Sequence, residues 1–414
     1  MIKSTRKVGI GFITGRKSFR NVLATYLKCW GSRILSAGES VELSLFVAYD
    51  LEYRNTQRKD YTNINIELRE MLSEIVFIDR TTIQTEARLL KQRGVLSKRE
   101  SDLLFEKGYA GKRNAILYAA AKQGMDAILF LDDDEYPLAV QERGGSENWI
   151  GQQILSTHLA SIDEADITCG HHCGYISPIP NLTFNEKMGE KDFQTFIEAI
   201  SNDIISWDSI RKLMESGSIT YAEPEILDGA ATEVLEVGKK KFISGSNLCI
   251  NLRDPSGLSA FYNPPSARGE DTFLSTCLSD STVLSVPCYT FHDGFSLYTT
   301  LLEGVLPEKL SHISAKSKKI VARFYSACIG WVRYKPLLLY ITRRDEYAET
   351  IDLMRENLTA TLPKLSDYFD DLRFMKILDE LNRYDTAVEK HFMEFNATQE
   401  AWKKLAEYLK NSRI

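Results

Sequence analysis

DAILFLDDDEYP, residues Asp126 to Pro137, sets five consecutive apolar residues, Ala127 to Leu131, directly against four consecutive carboxylates, Asp132 to Glu135. A continuous apolar run of that length reads as a strand buried on both faces. Carboxylates massed where such a strand ends repel one another, which is tolerable only beside a cation or strong hydrogen-bond donors. Oxygen ligands with room for water and phosphate suit Mg²⁺ or Mn²⁺, whose work would be to neutralise a diphosphate leaving group. The bland alternative for the same residues is a solvated acidic turn.

Moving outward, KVGIGFIT (Lys7 to Thr14), VELSLFVAYD (Val41 to Asp50) and EIVFID (Glu74 to Asp79) are further short, β-rich apolar runs ending in polar or Gly-containing sequence. Between them, Phe19 to Trp30 and Lys112 to Gln123 carry apolar residues at helical spacing, the second closing on Gly124 as a C-cap. Alternating β and α elements predict an α/β fold, with a mostly parallel sheet flanked by helices. Ligands of such sheets bind at the carboxyl ends of the strands, where Thr14, Asp50 and Asp132 to Asp134 fall.

Further along, Ala165 to Pro180 reads as one or two strands before a Pro-rich turn, and 181–240 as a polar insertion, partly helical around Phe193 to Met214. Strand character returns at Lys241 to Asn251 and Thr282 to Phe291, with a helix over Thr272 to Leu278. From about Glu303 the pattern is helical to the end, with Pro336 and Pro363 as expected breaks, and reads as a separate helical region.

The 414 residues suggest two or three domains, and 26% charged with 43% hydrophobic residues is the profile of a folded chain. A net charge of −6 gives no sign of nucleic-acid binding. Seven cysteines spread from Cys29 to Cys328 read as thiols. The opening MIKSTRKVGIGFITGR has no signal-peptide core or cleavage site, and no run nears the roughly 20 apolar residues of a membrane span. A cytoplasmic location is the expectation, which leaves the sequons at Asn181, Asn357 and Asn396 without meaning.

Other residues carry chemistry. In KGYAGKRN, Gly111, Lys112, Arg113 and Asn114 are expected to open a helix and turn backbone donors and two cations to a phosphate; an exposed basic turn is the alternative. In SARGEDTF, Glu270 and Asp271 begin a helix, where capping alone would explain them. His292 follows a strand and reads as a metal ligand beside Asp134 and Asp132, or as a structural histidine. Cys169-Gly170-His171-His172-Cys173 is too tight for a tetrahedral zinc site; with Gly245, Ser246 and Asn247, His172 reads as the acceptor side of a cleft, the glycine-serine-asparagine run being otherwise an ordinary turn.

The order Thr14-x-Arg16, Asp50, GKRN, LFLDDD as a DxD motif, SGSN and GED resembles the nucleotide-sugar glycosyltransferases of the GT-A fold, most of all the large bacterial family of inverting enzymes that build surface polysaccharides. The resemblance covers about residues 7 to 295. It implies a catalytic domain over 1–300, with a nucleotide-sugar half to about 135 and an acceptor half over 165–300, followed by the helical region 301–414. It implies that Thr14, Arg16 and Asp50 hold base and ribose. Asp132 and Asp134, with Asp133 between them, would bind ribose and a metal-bridged diphosphate. Asp271, beside Glu270, would be the base that deprotonates the acceptor hydroxyl. The partners implied are a nucleoside-diphosphate sugar and a carbohydrate or glycoconjugate acceptor. Retaining relatives use a histidine as metal ligand, so His292 keeps a retaining reaction open. A sugar-phosphate nucleotidylyltransferase would need a Gly-rich phosphate loop, of which GFITGRKSFR is a poor version. A non-catalytic carbohydrate-binding protein would not need Asp271 at all.

The net charge is unevenly placed. From Ala315 to Arg344 there are eight Lys or Arg and no Asp or Glu, leaving −14 for the rest. Ile320, Phe324, Cys328 and Trp331 recur within this stretch at helical spacing. That face is expected either to pack on the catalytic domain or to dock peripherally on an anionic membrane or lipid-diphosphate acceptor.

Overall fold

The computed structural model describes residues 5–31, 41–106, 108–201 and 206–412. Lys107, which opens the KGYAGKRN stretch, the first four residues of the N-terminal reading and 202–205 of the insertion lie outside them. Four strands, β1 (Arg6–Thr14), β2 (Val41–Tyr49), β3 (Glu74–Ile78) and β4 (Ala127–Leu131), run parallel in the order β3-β2-β1-β4. Each is the apolar run read from the sequence, because a strand covered on both faces has no polar side to alternate with. The helix Phe19–Gly31 packs on one face, burying Phe19, Leu23, Tyr26 and Trp30 with Val8, Ile10 and Phe12 of β1. The helix Gly108–Lys122 covers the other, its Ile116 and Ala120 buried with Phe46, Ile128 and Phe130.

Beyond β4 come β5 (Glu135–Tyr136), the hairpin β6 (Leu138–Arg143) and β7 (Ser146–Gly151), β8 (Ile167–Gly174), β9 (Thr232–Glu233), β10 (Leu248–Asn251) and β11 (Val283–His292). β6 and β7 form a two-stranded sheet of their own, and the others extend the main sheet in the order β4-β10-β8-β11-β5, with β9 also on β11. β10 runs against both its neighbours, whereas β11 is parallel to β8, so the sheet is mixed and the expectation of a mostly parallel one is corrected. The parallel half obeys that expectation; the β10 insertion depends on long-range pairing, for which a local apolar pattern carries no direction.

The expected C-terminal helical region is present, and it packs on the rest of the chain. Helices Lys318–Thr342, Tyr347–Phe369 and Lys376–Thr386 share a core with the insertion, where Phe193, Phe196, Ile210 and Met214 meet Phe324, Cys328, Leu358 and Phe374. The last helix, Val388–Ser412, instead puts Ala401, Trp402 and Leu405 into the core beneath Gly108–Lys122. The helical tail therefore closes over both halves of the sheet. Pro336 and Pro363 lie inside helices that continue through them, and the chain breaks at Arg343 to Glu346 instead. The lost hydrogen bond and ring clash, worth about 3 kcal/mol, are offset by packing on either side of each proline.

The basic stretch 315–344 forms no single surface. Phe324 and Cys328 are fully buried, which places that part of the apolar face against protein. Arg333 pairs with Glu380 at 2.8 Å, Lys319 donates to the Phe295 carbonyl at 3.1 Å, and buried Lys335 donates to that of Ser201. No helix among the described residues is long and apolar enough to cross a membrane.

Candidate functional site

The ends of β1 and β4 open into a cleft of about 1030 Å³, walled on the far side by the insertion and by helix Lys318–Thr342. It adjoins a lobe of about 590 Å³. Arg113, Asp132, Glu270 and His292 line both spaces, and Asp271 lines the lobe. The two acidic motifs, distant in sequence, thus meet at one cavity.

The first wall is the acidic turn after β4. Thr14 Oγ1 donates to Asp133 Oδ2 at 2.5 Å, and Arg16 Nη1 lies 2.6 Å from Asp134 Oδ2 and 3.3 Å from Asp133 Oδ1. His292 Nε2 approaches Asp134 Oδ2 from the end of β11 at 3.5 Å. Burial would raise the Asp134 carboxyl, but His292 and then Arg16 reverse that and hold it well below the usual carboxylate range. Burial likewise depresses His292, yet the Asp134 carboxylate lifts it to about 8. Asp132 is pushed up to about 8 by burial and the charge of Glu135, against the pull of Arg113, and burial raises Asp133 to about 6. The Asp133 and Asp134 side chains are mostly buried and held by Thr14, Arg16 and His292, which is not the solvated acidic turn of the bland reading.

Arg113 joins the two motifs. Its guanidinium is buried on the rings of Phe130 and Phe261, Nε donates to Glu270 Oε1 at 3.2 Å, and Nη2 lies 3.8 Å from Asp132 Oδ1. Gly245 allows this approach, since a Cβ there would stand 2.6 Å from Nη2. Asp271 accepts from the backbone N–H of Gly245 at 3.1 Å and of Thr272 at 2.7 Å. Burial, with Glu270 adding its charge, raises Asp271 to about 6, so it is ionised at neutral pH and able to take a proton.

Glu135, which the sequence presents only as the last carboxylate of the run, is buried at the floor of the lobe. It accepts from Ser246 Oγ at 2.6 Å and Thr290 Oγ1 at 2.8 Å, with His172 Nε2 at 3.3 Å. These donors, His172 foremost, overcome burial and lower its pKa. Gly245, Ser246 and His172 therefore do line the lobe.

Five expected site residues are placed elsewhere or otherwise, the first being Thr14, which is buried, lines neither space and spends its hydroxyl on Asp133. Asn114 is fully buried and bonds the backbones of Leu104 and Phe261, and Asn247 is fully buried against His158 and the His171 carbonyl; both brace the site from beneath. The GKRN residues lie inside a helix that starts at Gly108, so their backbone N–H groups do not form its open N-terminus. Lys112 and Asp50 pair with each other at 2.7 Å beside the cleft, not on its walls. Cys169 and Cys173 are buried thiols, which burial pushes up to about 12.

Tyr53, Tyr109, Arg268 and Arg323 also line the cleft. Tyr53 and Tyr109 are 53% and 46% exposed, an unusual degree for aromatic rings in a cavity wall. The signals available were faint: Tyr53 follows the end of β2 by four residues, and Arg268 directly precedes the Gly269-Glu270-Asp271 run.

Among the described residues no group of three His, Cys, Asp or Glu side chains converges as a complete metal shell. Asp134 and His292 converge, and a divalent ion with its other ligands from phosphate and water would take the place of Arg16, which lies 2.6 Å from the same Asp134 oxygen, and of the proton that Asp134 favours on His292. No protein-family model matches the sequence and no curated protein matches it, so the cleft's geometry carries the functional argument alone.

Proposed function

We propose that the protein is a metal-dependent glycosyltransferase of the GT-A type, moving a sugar from a nucleoside-diphosphate sugar to an acceptor hydroxyl with inversion. One observation carries the reading: the acidic turn at the ends of parallel strands puts Asp132 and Glu135 into the same lobe that Asp271 lines. The mixed sheet, with β10 reversed beside β4, is compatible with a nucleotide half joined to an acceptor half.

In this account Arg16 and Thr14 hold Asp133 and Asp134 in place, and Tyr53 and Tyr109 offer flat faces to a nucleobase. Asp134 and His292 are the residues that would hold Mn²⁺ or Mg²⁺. When bound, that ion supplies positive charge to the departing diphosphate. Asp271 takes the proton from the acceptor hydroxyl as its oxygen bonds to the anomeric carbon, while the bond from that carbon to the diphosphate oxygen breaks. The lobe's His172, Ser246 and Ser285 provide the hydrogen-bonding surface a polyol requires. The acceptor is a carbohydrate or glycoconjugate, and polysaccharide synthesis is the setting the motif order suggests.

A second reading, retention, is favoured by the contact of His292 with Asp134. The test is transfer from a panel of nucleotide sugars to free sugars, with Mn²⁺ and after chelation, followed by NMR of the product's anomeric proton. Loss of transfer on chelation and an anomer opposite to the donor's are expected. The donor's own anomer would select the retaining reaction, and metal-independent transfer would sink the metal assignment.

A further inference from the structure

The cleft wall opposite the acidic turn carries cations that make no ion pair among the described residues. Arg323 stands on helix Lys318–Thr342 with its guanidinium carbon 4.9 Å from the centre of the Phe295 ring. Its Nε is shielded from solvent and has no hydrogen-bond partner among the described residues. Its Nη2 passes close over Gly294, where a Cβ would come within 2.7 Å. Arg268 lays its aliphatic stem along Gly330, two turns further along the same helix, and its head is exposed. Lys212, on the insertion helix Trp207–Glu215, lines the same space. None of the three has an ion-pair partner among the described residues, whereas Arg16 and Arg113 in the same cleft are paired. Arg323 is near enough to Asp134, Arg16 and Arg268 for their charges to act on it.

A half-buried arginine held on an aromatic ring, with a second arginine beside it and no carboxylate in ion-pair contact, keeps donors free for an anion. We propose that Arg323 and Arg268, with Lys212, form a phosphate-binding site on the helical wall of the cleft. The planar guanidinium forks match phosphate oxygens in pairs, and the low-dielectric wall strengthens each contact. The phosphate is either the diphosphate of the donor or a phosphate group on the acceptor. The donor source rests on the glycosyl-transfer reading; phosphate binding itself does not. The site also gives the basic stretch 315–344 a role within the cleft.

The test is calorimetric titration of the full chain, free of divalent ions and at low salt, with inorganic pyrophosphate, inorganic phosphate and the common nucleoside 5′-diphosphates. Arg323→Gln is expected to weaken pyrophosphate binding roughly tenfold to a hundredfold, the value of a charge-assisted contact. Arg323→Lys should keep most of the affinity, and raised salt should weaken the wild type. If Arg323→Gln weakens the tightest nucleoside diphosphate by the same factor and leaves its nucleoside unaffected, the donor diphosphate is the occupant. If it spares the nucleoside diphosphate but removes phosphate binding to the nucleotide-saturated protein, the occupant is the acceptor's phosphate. Arg268→Gln, at an exposed position, carries the same test should Arg323→Gln fail to fold. Affinities for all these probes within twofold of wild type in the folded variants, or no binding by the wild type, would overturn the proposal. Phosphate binding with no sugar transfer from any donor would count against the transferase reading alone.

Discussion

Arg113 Nε donates to Glu270 Oε1 at 3.2 Å across 157 residues of chain, and so ties the helix below the acidic turn to the helix that carries Asp271. The same guanidinium reaches toward Asp132, so Arg113 joins both acidic motifs. Arg113→Met would leave the hydrophobic contacts on Phe130 and Phe261 largely in place and remove the charge. Glu270 and Asp132 would then lose their cation in a poorly solvated wall. The expected destabilisation is about 3 kcal/mol, the lower end for breaking a buried pair because the carboxylates border the open cleft. Urea unfolding measures it, and a change below about 0.5 kcal/mol would show that the pair holds nothing together.

The last helix is structural in the same sense. Trp402 is 1% exposed in the core beneath helix Gly108–Lys122, with Leu104 and Leu117 in the same cluster. Trp402→Ala is expected to cost roughly 3–5 kcal/mol, the range for emptying an aromatic core site. The loss should appear as one cooperative transition of the whole chain in thermal unfolding. An independent second transition, with the first unchanged, would show a separate helical region.

The parallel half of the fold was legible because its information is local. β1 and β2 match their sequence runs to within a residue at each end, since strands buried on both faces are continuous apolar segments bounded by polar residues. The acidic turn and the Glu270-Asp271 run were legible for a related reason, as charge placed against an apolar run or a helix start. The reversal of β10 was not, because strand direction is fixed by partners distant in sequence. Nor was the burial of Phe324 against Phe193 and Phe196, since an amphipathic helix reveals that it has an apolar face but not what covers it. Asn114 and Asn247 illustrate the same limit at the site: a polar residue in a motif looks alike in sequence whether it meets a ligand or a backbone carbonyl.

Acid should switch the reaction off. A general base must be deprotonated to accept a proton, and burial together with Glu270 raises Asp271 to about 6. At saturating metal, kcat/KM is therefore expected to rise with pH through about 6 and level off above it. Asp133, also lifted to about 6, titrates in the same range. The two are separated by Asp271→Glu, which should move the limb only if it belongs to Asp271. A rate flat from pH 5 to 7 would leave no place for Asp271 as the base.

The central claim is that Asp271 performs the proton transfer and does not hold the nucleotide. The most direct measurement compares wild type with Asp271→Asn, an isosteric change whose single oxygen can keep one of the two backbone donations, from Thr272 to Oδ1 or from Gly245 to Oδ2, and gives up the other. Single-turnover sugar transfer should fall by roughly 10²–10⁴, the contribution of a positioned general base, while nucleoside-diphosphate affinity stays within about threefold. Transfer at the wild-type rate by a well-folded Asp271→Asn protein would contradict it.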